Sequence, residues 1–312
     1  MNLAVVFPGQ GSQRPGALAA LPDHDAVRAV LAEAEQILGA ATVAALDEPD
    51  TLHETAGAQL QLLIAGVATA RALTAEGFTV DVTAGHSVGA FAAAVTAAVL
   101  TFAEALAAVA RRGQLMAATA DNGRWGMAAV QGLDAPTVRR LAADVGTPQE
   151  PVWPAVYNAA DQIVLSGTRT ALADAEHAAL AAGARRVVHL DVAVAAHCPR
   201  QDDVAQAMTR ALAPLPRRPP TAAVITTAGG RRVTRAEAVY DDLARSVALP
   251  VQWYDAARLL PEIGVTHLVQ TPPGRVLVDL LPSGNAVHAT ALGDGDFARH
   301  LDDLRYELRR TR

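Results

Sequence analysis

The chain has 312 residues, 51% hydrophobic and 19% charged, enough apolar material for a large core in one or two domains. A net charge of -6 excludes the basic face that nucleic-acid binding needs. All 26 basic residues are arginine and Cys198 is the single cysteine, which together exclude lysine Schiff bases, phosphate-loop lysines, disulfide frameworks and cysteine–zinc sites.

Residues 3–7 read as an apolar strand stopped by Pro8-Gly9, with no basic segment of the kind that opens a signal peptide, so a cytoplasmic location is expected. Apolar residues at helical spacing predict a helix over 25–38, and 59–73 reads as a second, apolar nearly all round and therefore central. A strand over 78–84 leads into Gly85-His86-Ser87-Val88-Gly89 and a long alanine-rich helix, and a further helix follows over 102–118. The weakly polar stretch 87–103 approaches the length of a membrane span, but alanine gives little hydrophobic drive and Glu104 follows at once. A buried helix is expected there, and no membrane. Strands alternating with helices predict an α/β core with a mainly parallel sheet.

The pattern changes after Asp121-Asn122-Gly123. A strand over 126–133, a helix over 135–145, strands over 152–159 and 162–167, a helix over 169–182 and a strand over 185–194 follow in turn. This βαββαβ order is the ferredoxin-like arrangement, and it predicts a small inserted domain over 124–190, with 1–123 and 191–312 forming the larger one. The larger domain resumes with strands over 223–227, 266–270 and 286–292, helices over 236–246, 251–260 and 275–281, and a closing helix to about residue 310.

Gly85-His86-Ser87-Val88-Gly89 matches G-x-S-x-G in the context that motif requires, a strand before and a helix after. The sharp turn strains the serine backbone and brings chain so near that positions 85 and 89 tolerate no Cβ. Ser87 is thereby presented at the positive end of a helix, with the Val88 amide as one donor to a developing oxyanion.

A serine needs a base. His24, His53, His177 and His300 stand beside acidic residues on expected surface; His267 and His288 fall in or near late strands, and His189 inside one. His197 differs: it closes the predicted strand before Cys198-Pro199, at the return from the small domain, and strand ends are where α/β folds gather reacting groups. A packed loop histidine is the competing reading. No HExxH or HxH spacing occurs, so a metal site built by the protein is not expected. Pro8-Gly9-Gln10-Gly11-Ser12-Gln13 follows the first strand like a dinucleotide loop, but the last glycine of G-x-G-x-x-G would fall on Arg14. Such a turn can instead aim the Gln10 amide into a cleft, where with Val88 it would complete an oxyanion hole.

Taken together these residues resemble the malonyl-CoA:acyl carrier protein transacylase family. Arg112-Gly113, Asn158, Gln162, Ala196-His197-Cys198, Pro250-Val251-Gln252-Trp253 and Pro273-Gly274-Arg275-Val276-Leu277 all fall in that family's order, and the likeness spans essentially the whole chain. The resemblance implies an α/β-hydrolase-like large domain carrying a ferredoxin-like small one, with Ser87 as acyl-accepting nucleophile and His197 as base. It implies an oxyanion hole from Gln10 and Val88, and Arg112 on the substrate's free carboxylate. Gln59, His86 and Asn158 would lie in the pocket, with a main-chain carbonyl at Ser246 orienting His197. From spacing alone, Arg111 and Arg112, about 100° apart on a helix, are not distinguished.

Within the family, Ala90-Phe91, Gly11-Ser12-Gln13-Arg14-Pro15-Gly16, Leu21-Pro22-Asp23-His24 and Thr271-Pro272-Pro273-Gly274 are similar to the malonyltransferase subunit of malonate decarboxylase. The activity this implies is malonyl transfer from malonyl-CoA, through a malonyl-serine ester, to the phosphopantetheine-type thiol of that enzyme's own carrier protein. Malonyl transfer in fatty-acid or polyketide synthesis is the alternative, and a serine thioesterase or hydrolase the second. Coenzyme A thioester and carrier protein are the expected partners, with no permanently bound cofactor. Arg139-Arg140, Arg185-Arg186, Arg217-Arg218 and Arg231-Arg232 are the arginine pairs expected to offer an acidic carrier a basic face near the cleft mouth.

Overall fold

A computed structural model describes residues 2–293 and 297–310. The strand β1 (Asn2–Phe7) is apolar on consecutive residues because both its faces are covered, as an interior parallel strand requires. Helices α1 (Asp25–Leu38), α2 (Ala40–Ala45), α3 (Pro49–His53) and α4 (Thr55–Ala75) precede β2 (Val82–Gly85), which returns parallel to β1 with Phe7 opposite Gly85. Then come α5 (Gly89–Thr96) and α6 (Phe102–Ala117), the latter started by a reciprocal Thr101–Glu104 cap.

The chain next builds a second sheet from β3 (Trp125–Gln131), α7 (Ala135–Val145), β4 (Val152–Ala159), β5 (Gln162–Thr168), α8 (Arg169–Ala181) and β6 (Arg186–His189). Its order is β4-β5-β3-β6, antiparallel at every pairing, the ferredoxin-like arrangement. Val130, Ile163 and Leu165 on the strands pack against Val138, Leu141 and Leu172 on the two helices, a core separate from the main one. The first sheet is completed by α9 (Asp202–Leu212), β7 (Ala223–Ile225), β8 (Arg232–Val233), α10 (Ala236–Arg245), α11 (Trp253–Glu262), β9 (Val265–Gln270), α12 (Val276–Asp279), β10 (His288–Ala291) and α13 (Phe297–Arg310). Its order is β10-β9-β1-β2-β7-β8, parallel except for the β7–β8 hairpin. The architecture is α/β-hydrolase-like, with a mainly parallel sheet and a ferredoxin-like companion. The two are joined where Val251 pairs with Val156 of β4: Val251 N–H donates to Ala155 O at 2.9 Å and Tyr157 N–H to Val251 O at 2.8 Å.

Several elements differ from the sequence expectation. The alanine-rich helix after Ser87 spans only eight residues, because Ala98 turns with φ 58° and separates it from α6. Among the described residues, the helix long and apolar enough to cross a membrane is instead α4, and 89% of its most apolar window is buried inside the protein. The strand expected over 185–194 ends at His189: β3 pairs only with residues 186–189, and beyond them the chain leaves the sheet. The helix expected from residue 251 starts at Trp253, since Val251 is spent on the pairing with β4.

Candidate active site

β1 and β2 are neighbouring parallel strands, so the segments leaving their C-terminal ends emerge side by side. One is Pro8-Gly9-Gln10 and the other His86-Ser87-Val88. The turn at Ser87 has φ 55°, in the left-handed region that L residues avoid. A Cβ at Gly85 would lie 2.0 Å from Ala90 N and one at Gly89 2.2 Å from Phe7 O, so only glycine closes this elbow. Val88 opens α5. Among the described residues, neither the Gln10 nor the Val88 N–H is engaged by the protein.

His197 reaches Ser87 from the far side of the cleft. It does not close a strand; it sits in the irregular return from β6, with φ 59°. Its N–H donates to Val247 O at 2.7 Å, and Nδ1 is 2.7 Å from Ser246 O and 3.2 Å from Leu249 O. Two carbonyl acceptors require Nδ1 to carry the proton, which turns the lone pair of Nε2 toward Ser87 Oγ at 2.8 Å. Burial, reinforced by the charge of Arg112, pushes the His197 imidazole down to about 3, so it rests neutral. A neutral imidazole aimed at a hydroxyl can take its proton. Ser246 thus takes part through its carbonyl rather than its side chain.

The structure distinguishes the two arginines. Arg111 is exposed, whereas Arg112 is 1% exposed. Gly113 lets α6 approach α4 so closely that a Cβ there would lie 2.5 Å from Ala56 Cα. Across this contact Arg112 Nη1 donates to Gln59 Oε1 at 2.7 Å, and Nη2 donates to Ser87 Oγ at 3.2 Å. Its Nε has no partner, and among the described residues no carboxylate pairs with it. Burial alone pulls its pKa down to about 10. An uncompensated buried guanidinium beside a nucleophile is a place for an anion.

Neither Gln59 nor Arg112 is among the side chains lining the cavity; Arg112 meets its edge through Ser87 Oγ, and Gln59 lies behind it. Gln59 is 1% exposed, holding Arg112 and reaching Gln10 Oε1 at 3.4 Å. Asn158, on β4, lines the cleft, and its Oδ1 accepts from His86 Nε2 at 3.1 Å, while burial lowers the pKa of that imidazole. The cleft between the two sheets encloses about 450 Å³. Gln10, Ser87 and His197 line its polar side; Met127, Val156, Val164 and Val194 line its apolar side.

At the cavity mouth stand Arg14 and Arg275, both exposed. None of the four arginine pairs singled out in the sequence lines the cavity. Arg218 binds Glu104, Arg185 binds Asp161, and Arg217 lies 3.8 Å over the Tyr240 ring. Adjacent arginines signal charge but not position. Arg14, noticed in the sequence as the residue that breaks a nucleotide loop and as part of a longer motif, carried a usable signal in its place within the glycine turn. Among the remaining histidines, His24 caps α1, His189 pairs with Glu176, and buried His267 stacks on His288.

A family model described as an acyl transferase domain matches residues 4–288. The malonyl CoA-acyl carrier protein transacylase of Salmonella typhimurium is 34% identical over 283 residues, which cover 89% of this chain and 91% of that relative. A crystal structure of the malonyl-CoA:acyl carrier protein transacylase from Xanthomonas oryzae superposes with a TM-score of 0.90 at 34% identity, covering 97% of this chain and 99% of that one. A malonyl-transacylase solved in complex with its type II polyketide synthase acyl carrier protein superposes with a TM-score of 0.89 at 33% identity, covering 95% of this chain and 97% of that one.

Proposed function

From a chain that belongs to the acyl transferase domain family, among its malonyl-CoA:acyl carrier protein transacylases, we infer transfer of a malonyl group from malonyl-CoA to the phosphopantetheine-type thiol of an acyl carrier protein. The protein is an acyltransferase, and Ser87 is the residue that carries the acyl group between donor and acceptor. The observation that supports this most directly is the 2.8 Å contact between Ser87 Oγ and His197 Nε2, with the buried Arg112 bonded to the same oxygen.

In the first half-reaction His197 Nε2 takes the Ser87 proton as Oγ attacks the thioester carbonyl. The tetrahedral oxyanion is received by the Gln10 and Val88 amides. Collapse expels the coenzyme A thiolate, which takes the proton from His197, and leaves malonyl-Ser87. The carrier thiol then enters the same cleft, gives its proton to His197 and attacks the ester, and Ser87 recovers its proton as it leaves. No metal is called for, because a thiolate leaves readily. Arg112 holds the malonyl carboxylate throughout, a pairing that acetyl cannot make.

Fatty-acid or polyketide synthesis is the setting that fits best. The relatives reported above bear the transacylase name, and one was captured with a polyketide synthase carrier. The malonate decarboxylase setting rests on short motifs such as Ala90-Phe91, and the comparisons do not support it. Arg14 at the cavity mouth is the cation to which an acidic carrier would dock, since Arg275 beside it is already paired with Asp279 at 2.9 Å.

Incubation with malonyl-CoA should add one malonyl mass to the intact protein, and carrier protein in its phosphopantetheine form should discharge it. Ser87→Ala should abolish the adduct, and a persistent adduct would move the nucleophile elsewhere. Release of free malonate at equal speed without carrier would make the protein a hydrolase. A fatty-acid or polyketide carrier and a malonate decarboxylase carrier, offered in competition, would identify the acceptor.

A further inference from the structure

Thr227 and Asp242 do not line the cavity, and no step above uses them. Pairing between β2 and β7 stops at Ala84 opposite Ile225. Two residues later Thr227, 3% exposed, donates its hydroxyl to Gly85 O at 3.0 Å, extending the hold on the strand end from which Ser87 emerges. The backbone of Thr227 is fixed in turn: Asp242 accepts from Thr227 N–H at 2.7 Å and from Ala228 N–H at 2.9 Å, and Thr227 O accepts from Gln252 N–H at 2.8 Å.

Asp242 belongs to α10, whose last turn delivers the carbonyl that orients the base. Asp242 O accepts from Ser246 N–H, and Ser246 O accepts from His197 Nδ1 at 2.7 Å. His197 Nε2 meets Ser87 Oγ at 2.8 Å. The contacts close into a ring: Ser87, two residues of backbone to Gly85, Thr227, Asp242, Ser246, His197, and back to Ser87. We propose that Thr227 and Asp242 are positioning residues that set the distance between Ser87 and His197 by tying the elbow to the end of α10. The proposal rests on the reading of Ser87 and His197 given above.

Other bonds also meet here, His197 N–H on Val247 O and Arg112 on Ser87 Oγ, while the contacts of Thr227 and Asp242 tie the backbone of the elbow to the helix end. Without the Thr227 hydroxyl, Gly85 O loses its side-chain donor and the elbow is tethered to β7 only through residues up to Ala84. Burial pushes the Asp242 carboxyl up to about 6, so near neutral pH it is ionised against a desolvation penalty while it holds two amides.

The test is single-turnover malonylation of the full chain, followed by intact mass as malonyl-CoA is varied, with a thermal melt of each variant. Thr227→Val keeps the shape and removes the hydroxyl; the maximal acylation rate should fall about 10- to 100-fold with half-saturation within about twofold of wild type. Thr227→Ser, which restores the hydroxyl, should recover the rate to within about threefold. Asp242→Asn should also lower the rate at unchanged half-saturation, and the double variant Thr227→Val/Asp242→Asn should be no slower than the slower single, because both cut the same ring. A wild-type rate in Thr227→Val overturns the proposal, as does a loss confined to half-saturation, a serine variant as slow as valine, or strictly additive losses. If Thr227→Val does not fold, the serine variant and Asp242→Asn decide: full rate in Asp242→Asn overturns it. A wild-type chain that forms no malonyl-Ser87 would instead refute the functional reading itself, so the two failures are separable.

Discussion

Replacing Arg112 by methionine removes the guanidinium at nearly constant volume and tests the acyl selectivity of the site. Arg112 is 1% exposed, bonded to Gln59 and Ser87, and without a carboxylate among the described residues. A malonyl carboxylate would supply that missing anion through two charge-assisted hydrogen bonds, each worth about 1.5–3 kcal/mol. Their sum, about 3–6 kcal/mol, corresponds to about 10²- to 10⁴-fold in relative rate at 1.4 kcal/mol per factor of ten. Acetyl offers no such pair and should lose little. Arg112→Met should therefore collapse the preference for malonyl over acetyl by about that factor. Stability should move the other way or not at all: burial pulls Arg112 down to about 10, a desolvation cost of roughly 3 kcal/mol that methionine does not incur. The assay is a competition between malonyl-CoA and acetyl-CoA read as the ratio of adduct masses on Ser87, beside a thermal melt. An unchanged ratio in a folded variant would refute the assignment, because the carboxylate would then be held elsewhere.

Four other outcomes are expected. Because His197 is held at about 3, chiefly by burial and then by Arg112, it stays neutral and competent well below the ordinary histidine value; kcat/KM should be flat from about pH 8 to about pH 5, where an acid limb near 6.5 would count against it. Arg112→Met removes one of the two main depressing causes and should move that limb upward. Gly89→Ala should cost roughly 3 kcal/mol or more in urea unfolding, since the new Cβ meets Phe7 O at 2.2 Å and backbone must shift; a loss below about 1 kcal/mol would mean the elbow yields. Burial pushes the Cys198 thiol up to about 12, so a thiol reagent at pH 8 should leave the folded protein unlabelled and react once it is unfolded. Full labelling of the folded chain would contradict that burial.

Much of this molecule is legible in its sequence, for reasons that differ by element. The helices Asp25–Leu38 and Ala135–Val145 and the strand Val152–Ala159 have the bounds their periodicity predicts, because each buries one face or both along its whole length. The segment after His189 keeps strand-like alternation yet leaves the sheet: Leu190, Val192 and Val194 turn apolar side chains to the cavity instead of to a partner strand. Periodicity reports burial, not what does the burying. Ser87 could be found from its two glycines, but the role of Ser246 is implied only by the family resemblance, since a main-chain carbonyl leaves no mark on residue identity. Arg112 and Arg111 are equivalent by composition; the contact of Gly113 with Ala56 separates them, and that contact joins residues far apart in the chain.

Ser87 and His197 both sit at positive φ, a conformation that costs an L residue about 1–3 kcal/mol at each place. Serine has no preference for that geometry and histidine only a modest one, so the surrounding fold must impose it. Glycine would relieve that strain at either place only by giving up the reacting side chain, so presenting an oxygen and an imidazole to one cleft binds the chemistry of the site to backbone that the rest of the molecule holds under tension.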